Sequence, residues 1–245
     1  MNSHKIRIAK LLSNYNQGSR REIERLISNN KIYLNQKLVT TPVTFASIKD
    51  EILIEGKKIN FIKKTEVLKF YKPVDIMCSK NKQDSRKIIY EIIPSKYKNY
   101  IFAGRLDFKS EGLIILTNSS LITRNLELPI NNFERRYEVR VFGEFDLDKL
   151  KKISFGKKIK GIFYKPFEFI IKSKIKKNTH LEIILREGKK NEIREIFKEM
   201  NLQVNKLRRI SYGPFLISNI KPGEIRKVTK IEMNRYENYI RHKKR

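Results

Sequence analysis

The sequence predicts an α+β protein, with a small N-terminal α/β module ahead of a larger domain built on a mostly antiparallel, mixed sheet flanked by helices. Strand-like segments outnumber helical ones in the larger part, and no regular βαβ alternation is present. The first residues instead place two short helical patterns before several short strands. We therefore predict an N-terminal domain over 1–61, a second domain over 66–232 and a basic C-terminal tail over 233–245, whose last segment, YIRHKKR, is expected to be disordered.

The N-terminal module is predicted from helical spacing and from one capping signal. Ile8, Leu11 and Tyr15 recur at the spacing of a helical face. In the stretch SRRE, Ser19 and Glu22 have the spacing of a capping box, in which each side chain accepts a hydrogen bond from the other residue's backbone. The segments KIYLN, LVTTP and EILIEG then have strand character, so a short helix pair followed by a small sheet is expected.

The charge of the chain predicts a polyanionic partner. Lys and Arg number 55 against 26 Asp and Glu, which gives a net charge of +29. The basic residues are spread along the whole chain, and this fits an extended nucleic-acid surface better than a localisation signal. In the N-terminal module, phosphate contacts are expected from five side chains around the two helices: Arg7, Lys10, Arg20, Arg21 and Lys31.

Several protein classes are disfavoured by composition. The single cysteine, Cys78, excludes an internal disulfide and a cysteine zinc cluster, and the three histidines lack metal-ligand spacing. The first twelve residues are too polar for a signal peptide, and no apolar run approaches the length of a membrane span. We expect a cytoplasmic monomer that holds no metal.

The larger domain is predicted to begin with a strand in VLKFYK that ends at Pro73. Leu113–Leu116 reads as a strand buried on both faces. RRYEVRVFG alternates as a strand with Tyr137 on its apolar side, and FEFIIKS and HLEIILREG are two further strands. NEIREIFKEM is predicted to be a helix that Asn191 caps, with one apolar stripe of Ile193, Ile196, Phe197 and Met200.

The stretch FAGRLDFKSEGLIILTN, residues 102–118, sets Asp107 beside Arg105 and just ahead of that apolar strand. Gly104 permits a tight turn, and a rigid strand would hold the carboxylate in place. A nearby arginine favours the ionised form, and a positioned carboxylate can serve as a nucleophile or a general base. An Asp two residues from an Arg is usually a surface ion pair or a turn, so the stretch taken alone favours that interpretation over an active site.

Its context favours an active site. The blocks YKPVDIMCS (71–79), FAGRLDFKSEGLIILTN (102–118), ERRYEVRV (134–141) and the segment that starts REGKKNEIREIF (from 186) occur in a fixed order. Together they resemble the pseudouridine synthases of the ribosomal RsuA type. IRIAKLLSNYNQGSRREIERLISNNKIYLNQKLV, in the first domain, is similar to the S4 RNA-binding domain, which those enzymes carry ahead of the catalytic domain.

The resemblance implies that the chain isomerises a uridine of ribosomal RNA to pseudouridine without a cofactor. Asp107 matches the family's essential aspartate, and whether it attacks the sugar or deprotonates C2′ is open. Tyr137 matches the tyrosine that stacks on the target base, and Arg194 matches the basic residue that pairs with the aspartate. A uridine inside folded RNA would first have to leave its stack.

Three further basic residues are expected to contact RNA. Arg105 lies in the GRLD turn, Arg135 stands where the family has lysine, and Lys190 belongs to the EGKKNEIR block. LRRISYGPFLISNIKPGE is similar to the large-subunit, B-type branch, which implies a target in 23S rRNA, and a 16S target stays open. The alternatives are a non-catalytic RNA-binding or ribosome-assembly protein and a membrane-surface protein. No strongly amphipathic basic helix with bulky aromatics favours the last of these.

Overall fold

A computed structural model describes residues 5–15, 17–61 and 65–243. Contacts between residues divide the chain into two compact units. The first comprises 1–66 together with 99–101 and 117–122, and the second comprises the remainder. The predicted boundary between 61 and 66 includes 62–64, which lie outside the described residues, as do the last two residues of the predicted tail. The domain limits therefore stay a prediction.

The described residues form seven α-helices and seventeen β-strands. The helices are α1 (Ile8–Asn14), α2 (Arg20–Ser28), α3 (Ile89–Ile92), α4 (Ser120–Glu127), α5 (Leu147–Ser154), α6 (Glu192–Glu199) and α7 (Lys230–Lys243). The strands are β1 (Ile6–Arg7), β2 (Ile32–Leu34), β3 (Lys37–Leu38), β4 (Phe45–Ala46), β5 (Ile52–Ile54), β6 (Lys57–Lys58), β7 (Val67–Lys72), β8 (Ile101–Ala103), β9 (Glu111–Thr117), β10 (Arg135–Phe142), β11 (Lys157–Ile159), β12 (Ile162–Tyr164), β13 (Glu168–Ile175), β14 (Asn178–Leu185), β15 (Gln203–Tyr212), β16 (Phe215–Leu216) and β17 (Ile225–Lys227).

The N-terminal unit has a hydrophobic core shared by α1, α2 and the small sheet β3-β2-β5-β6. The capping box at the start of α2 is confirmed, because Ser19 Oγ accepts from the Glu22 amide at 3.2 Å and the Glu22 carboxylate accepts from the Ser19 amide at 2.6 Å. Ten buried side chains form the core: Ile8, Ala9, Leu11, Leu12, Ile23, Ile27, Ile32, Val39, Ala46 and Ile52.

The second unit is built on a sheet with the strand order β13-β14-β10-β15-β9-β7-β17, to which β16 adds on β15 and β8 on β9. β9 and β15 pair in parallel, whereas β10 pairs antiparallel with both β14 and β15. The four residues Leu113–Leu116 have no exposed surface, which confirms a strand buried on both faces. The predicted α+β class with a mostly antiparallel sheet is confirmed.

A glycine is required where β9 approaches β15. Gly112 lies opposite Arg209 in the parallel pair and has φ +110°. A Cβ atom at this position would lie 2.4 Å from the Arg209 carbonyl oxygen, well inside van der Waals contact. Gly112 therefore allows the two strands to meet directly behind the GRLD turn.

The C-terminal segment differs from the predicted disordered tail. Residues 230–243 form α7, and Tyr236 on this helix is only 4% exposed. The start of α7 is fixed by Thr229, whose hydroxyl accepts from the Glu232 amide at 3.1 Å while Glu232 Oε2 accepts from the Thr229 amide at 2.8 Å. The expected disorder of YIRHKKR was wrong for its described residues, 239–243, because they continue α7 and the Tyr239 hydroxyl donates to the Asn131 carbonyl at 2.7 Å.

Candidate active site

Asp107 lies in the loop between β8 and β9, which the Gly104 turn opens. Gly104 has φ +69°, and a Cβ atom there would lie 2.9 Å from the Tyr212 ring. Only glycine satisfies both the left-handed backbone and this close approach. The Asp107 side chain is 36% exposed, so its carboxylate reaches the surface from a well-anchored backbone.

The backbone around Asp107 is anchored at every residue from 106 to 110. The anchors are Leu106 N to Cys78 Sγ at 3.4 Å, Ser110 N to Asp107 O at 3.1 Å, Asp75 N to Phe108 O at 2.8 Å, Arg194 Nη2 to Lys109 O at 3.1 Å and Lys72 Nζ to Ser110 O at 2.7 Å. Burial lowers the pKa of Lys72 to about 8. A loop held at each residue is preorganised, as a reacting group requires.

Asn191 makes the closest side-chain contact to the candidate carboxylate. In the amide orientation that hydrogen bonding favours, its nitrogen donates to Asp107 Oδ1 at 2.9 Å and to Oδ2 at 3.0 Å. Asn191 occupies the N-cap position of α6, as predicted, but its side chain makes no capping bond. Its backbone is left-handed, with φ 55°, a conformation that asparagine tolerates better than most residues.

The sequence pattern alone did not identify Asn191 as a candidate site residue. Asn191 lies within the EGKKNEIR block, but an asparagine just before a helix is ordinarily interpreted as an N-cap. Only the proximity of α6 to the β8–β9 loop shows that the amide has a different partner.

Arg194 joins the site from the first turns of α6. Its Nε lies 4.0 Å from Asp107 Oδ2, so the predicted ion pair is present at the limit of contact. Its shorter bonds hold the loop itself, because Nη2 also donates to Ser110 Oγ at 3.3 Å and Nη1 donates to the Val204 carbonyl at 3.2 Å. The guanidinium thus positions the loop as well as facing the carboxylate.

Tyr137 lies on β10, in the same cross-strand row of the sheet as Gly112 on β9. It pairs with Arg209 of β15, which in turn pairs with Gly112 of β9, the fifth residue after Asp107. Two inter-strand spacings place Tyr137 about 10 Å from Gly112 between Cα atoms. Tyr137 is 8% exposed.

The other carboxylate near the GRLD turn, Glu111, has a different partner from Asp107. It accepts a hydrogen bond from the Tyr71 hydroxyl at 2.9 Å.

The predicted RNA contacts fall into two groups. Seven of the basic side chains belong to exposed residues: Arg7, Lys10, Arg20, Arg21, Lys31, Arg105 and Lys190. Arg135 is different, because it is only 7% exposed. Its guanidinium donates to the Tyr212 hydroxyl at 2.9 Å and lies over the Tyr212 ring, 4.6 Å from the ring centroid. These contacts bind the Arg135 guanidinium inside the domain, which argues against the predicted contact between Arg135 and RNA.

A pair of carboxyl groups is buried at the start of α6, next to Asn191. Glu192 is 4% exposed and Glu187 is 8% exposed. Burial, followed by the charge of Glu187, raises the pKa of Glu192 to about 8. Lys189 links the two, because its amide donates to Glu192 Oε2 at 3.2 Å and its ammonium lies 2.8 Å from Glu187 Oε2. The raised pKa favours the protonated form of Glu192 near neutral pH.

This protonation predicts a pH-dependent stability. The folded-state pKa of about 8 exceeds the ordinary 4.5, so the folded chain binds more protons than the unfolded one between these values. The free energy of unfolding should therefore fall as pH rises through this window. Glu192→Gln should remove that decline, so its stability relative to the wild type should rise from pH 6 to pH 9, by up to about 1.4 kcal/mol for each pH unit between 6 and the folded-state pKa.

Urea unfolding at pH 6, 7.5 and 9 measures the effect. Glu237→Gln, an exposed position on α7, is the matched control and should keep the wild-type slope. Parallel pH profiles for the wild type and Glu192→Gln would contradict the prediction.

No group of three or more His, Cys, Asp or Glu within residues 5–15, 17–61 and 65–243 could hold a metal ion. Over the same residues, none of the helices is both long and apolar enough to cross a membrane.

Comparison with known families defines the chain as an RNA-modifying enzyme with a separate RNA-binding module. A family model described as RNA pseudouridylate synthase matches residues 66–199, and a model of the S4 domain matches residues 6–52. The chain belongs to the RNA pseudouridylate synthase family and is an RNA pseudouridine synthase that carries an S4 domain.

Curated relatives are similar to this chain over almost its whole length. An uncharacterized RNA pseudouridine synthase of Rickettsia typhi is 37% identical over 239 residues, covering 96% of this chain and 98% of the relative. Ribosomal large subunit pseudouridine synthase B of Buchnera aphidicola subsp. Acyrthosiphon pisum is 32% identical over 245 residues, covering 96% and 97%. A crystal structure of a pseudouridylate synthase shares the fold, with a TM-score of 0.67, 21% identity and coverage of 94% and 99%.

Proposed function

We propose that this enzyme converts a specific uridine of 23S ribosomal RNA to pseudouridine, with Asp107 as the carboxylate that starts the reaction. The observation that carries the proposal is the fixed position of Asp107, whose carboxylate accepts from Asn191 and faces Arg194 in a loop anchored at each residue. The name of the Buchnera relative supports the large-subunit target.

The reaction requires no external reactant. The bond from ribose C1′ to uracil N1 breaks, the uracil turns, and C1′ bonds to C5 instead. The hydrogen on C5 is lost as a proton and N1 gains one, so atoms and electrons balance within the nucleotide and solvent. The carboxylate of Asp107 would either attack C1′ or take a proton from C2′, and both steps need it ionised and oriented.

Tyr137 and the exposed basic residues would bind the RNA. A uridine must leave its stack to reach Asp107, and a tyrosine face in the site would compensate with roughly 1–3 kcal/mol of base stacking. The exposed cations of the S4 domain, among them Arg7 and Arg20, would contact phosphates and make binding salt-dependent. We propose that the enzyme acts as a monomer on ribosomal RNA in the cytoplasm.

Turnover on separate RNAs tests the proposal. Purified enzyme is incubated with 23S and with 16S transcripts, and pseudouridines are mapped by carbodiimide modification and primer extension. One new stop in 23S is expected. A stop in 16S alone would move the target to the small subunit, and no stop in either, with tight binding to both, would favour a non-catalytic ribosome-assembly role.

Asn191 should be needed to hold the carboxylate. Asn191→Gly accepts the left-handed backbone without strain but removes both hydrogen bonds to Asp107. Since a charge-assisted hydrogen bond contributes about 1.5–3 kcal/mol, kcat should fall roughly 10- to 150-fold. KM for RNA should change little, because the amide faces the carboxylate and not the phosphates.

Asn191→Asp is the informative counterpart, because it tolerates the same backbone but places an acceptor and a negative charge against Asp107. It should lose more activity than the glycine variant and recover partly as pH falls and one carboxylate protonates. Full kcat in Asn191→Gly, measured with an unchanged Tm, would refute the positioning role.

A further inference from the structure

The β11–β12 hairpin exposes aromatic side chains in a strongly basic segment. Phe155, just ahead of the hairpin, is 82% exposed, and Phe163 on β12 is 54% exposed. Residues 149–167, KLKKISFGKKIKGIFYKPF, contain seven lysines and no Asp or Glu. Neither the proposed chemistry nor the S4 contacts use these groups.

Phe163 and Lys158 share one face of the hairpin, and Phe155 directly precedes the glycine that contacts the Phe163 ring. Lys158 lies directly opposite Phe163 in the antiparallel pair, so their side chains are neighbours, whereas Ile159 and Tyr164 point to the buried side. A Cβ atom on Gly156 would lie 3.1 Å from the tip of the Phe163 ring, which places this ring next to the residue that follows Phe155. We call Phe155, Lys158 and Phe163 the hairpin platform.

The hairpin platform is fixed to the helix that carries Arg194. Lys160 pairs with Glu195 at 3.0 Å and Lys157 pairs with Glu199 at 2.8 Å, both on α6. Lys189, two residues before Asn191, donates to the Phe163 carbonyl. The platform is therefore attached to the same helix and loop that hold Asp107.

We propose that the hairpin platform stacks unpaired nucleotides of the RNA that flank the target uridine. Exposed aromatic rings beside cations are the surface on which single-stranded RNA stacks, because every base has a π-face and every linkage a phosphate. A second copy of this chain fits poorly, since it carries a net charge of +29 and would meet seven lysines here. This inference rests on the proposed RNA substrate and names how part of it is held.

Binding measured without turnover tests the platform. In the Asp107→Asn background, Kd is measured by fluorescence anisotropy for a 23S fragment with unpaired nucleotides around the target and for a fully paired duplex. Phe155→Ala and Phe163→Ala should each weaken binding of the first RNA roughly 5- to 150-fold and leave the duplex unaffected. Phe163→Tyr, which keeps a stacking face, should restore affinity, whereas Phe163→Leu should not.

Two controls separate stacking from charge and from general surface change. Lys158→Gln should lower the slope of log Kd against log salt by about 0.7–0.9, while the phenylalanine variants keep the wild-type slope. Ile175→Ala, 65% exposed at the end of β13, should leave Kd unchanged. Unaltered Tm values show that each variant is folded.

Equal Kd values for Phe155→Ala, Phe163→Ala and the wild type would overturn the proposal. So would equal losses for the two RNAs, or a wild-type dimer in sedimentation that the alanine variants abolish without a change in Kd. Failure of the proposed function would look different, because wild-type enzyme would then form no pseudouridine while the stacking pattern in Kd persisted.

Discussion

Replacing Asp107 by asparagine is expected to abolish pseudouridine formation while RNA affinity stays within about twofold. The amide keeps the shape of the side chain but lacks the negative charge, and with it the basicity and nucleophilicity that either mechanism needs. Loss of a reacting carboxylate of this kind should lower kcat by roughly 10⁴-fold or more. Release of tritium from C5-labelled uridine in a 23S transcript measures turnover directly, because C5 exchanges its hydrogen for the new bond to C1′.

Asp75→Asn is the matched control for this variant. Asp75 faces the same loop, since its amide donates to the Phe108 carbonyl, but its carboxylate is 53% exposed and pairs with Lys109 at 2.8 Å. The control should lose less than about threefold in kcat, in keeping with the small contribution of an exposed ion pair. Turnover by Asp107→Asn comparable to that of Asp75→Asn would remove Asp107 from the reaction.

Arg194→Met is expected to have the second-largest effect, with kcat falling about 10²–10³-fold. The change removes the cation that faces Asp107 and the bonds from the guanidinium to Lys109 O and Ser110 Oγ. The carboxylate then loses both a charge partner and the fixed loop that aims it. Single-turnover rates at saturating RNA separate this loss from any change in binding.

Arg194→Lys shows how much of the effect is charge and how much is geometry. Lysine keeps the cation, but a single ammonium cannot reach acceptors in three directions as the planar guanidinium does, so an intermediate rate is expected. Lys198→Met, one turn further along α6 and exposed, controls for loss of a cation from the same helix. If Arg194→Met and Lys198→Met react equally fast, the guanidinium has no part in the site.

The sequence predicted the structure correctly wherever a local residue pattern is matched by the burial or hydrogen bonding of the same residues. Ser19 and Glu22 have capping-box spacing and form that box, and Leu113–Leu116 is apolar without interruption and has no exposed surface. The apolar stripe of α6 is buried as its spacing predicts. Asp107 and Arg194 could be brought together only through the family resemblance, because 87 residues separate them and no local rule pairs them.

What the sequence missed depends on partners that are distant along the chain. Asn191 has the residue type and position of a cap, and only the placement of the β8–β9 loop redirects its amide to Asp107. Arg135 looks like a surface cation in a basic chain, but Tyr212, 77 residues later, fixes its guanidinium inside the domain. Tyr236 is buried in α7 against the rings of Phe133 and Phe215, which no pattern within the polar C-terminal segment reveals.

The close approach of Gly112 to Arg209 also has a consequence for biosynthesis. These two residues are neighbours in space but 97 positions apart along the polypeptide. During translation the GRLD turn emerges long before β15 exists to support it, so the candidate site around Asp107 is among the last parts of the molecule to assemble. A prematurely terminated chain that stops ahead of residue 203 would contain Asp107 but not the strand that packs against Gly112 behind its loop.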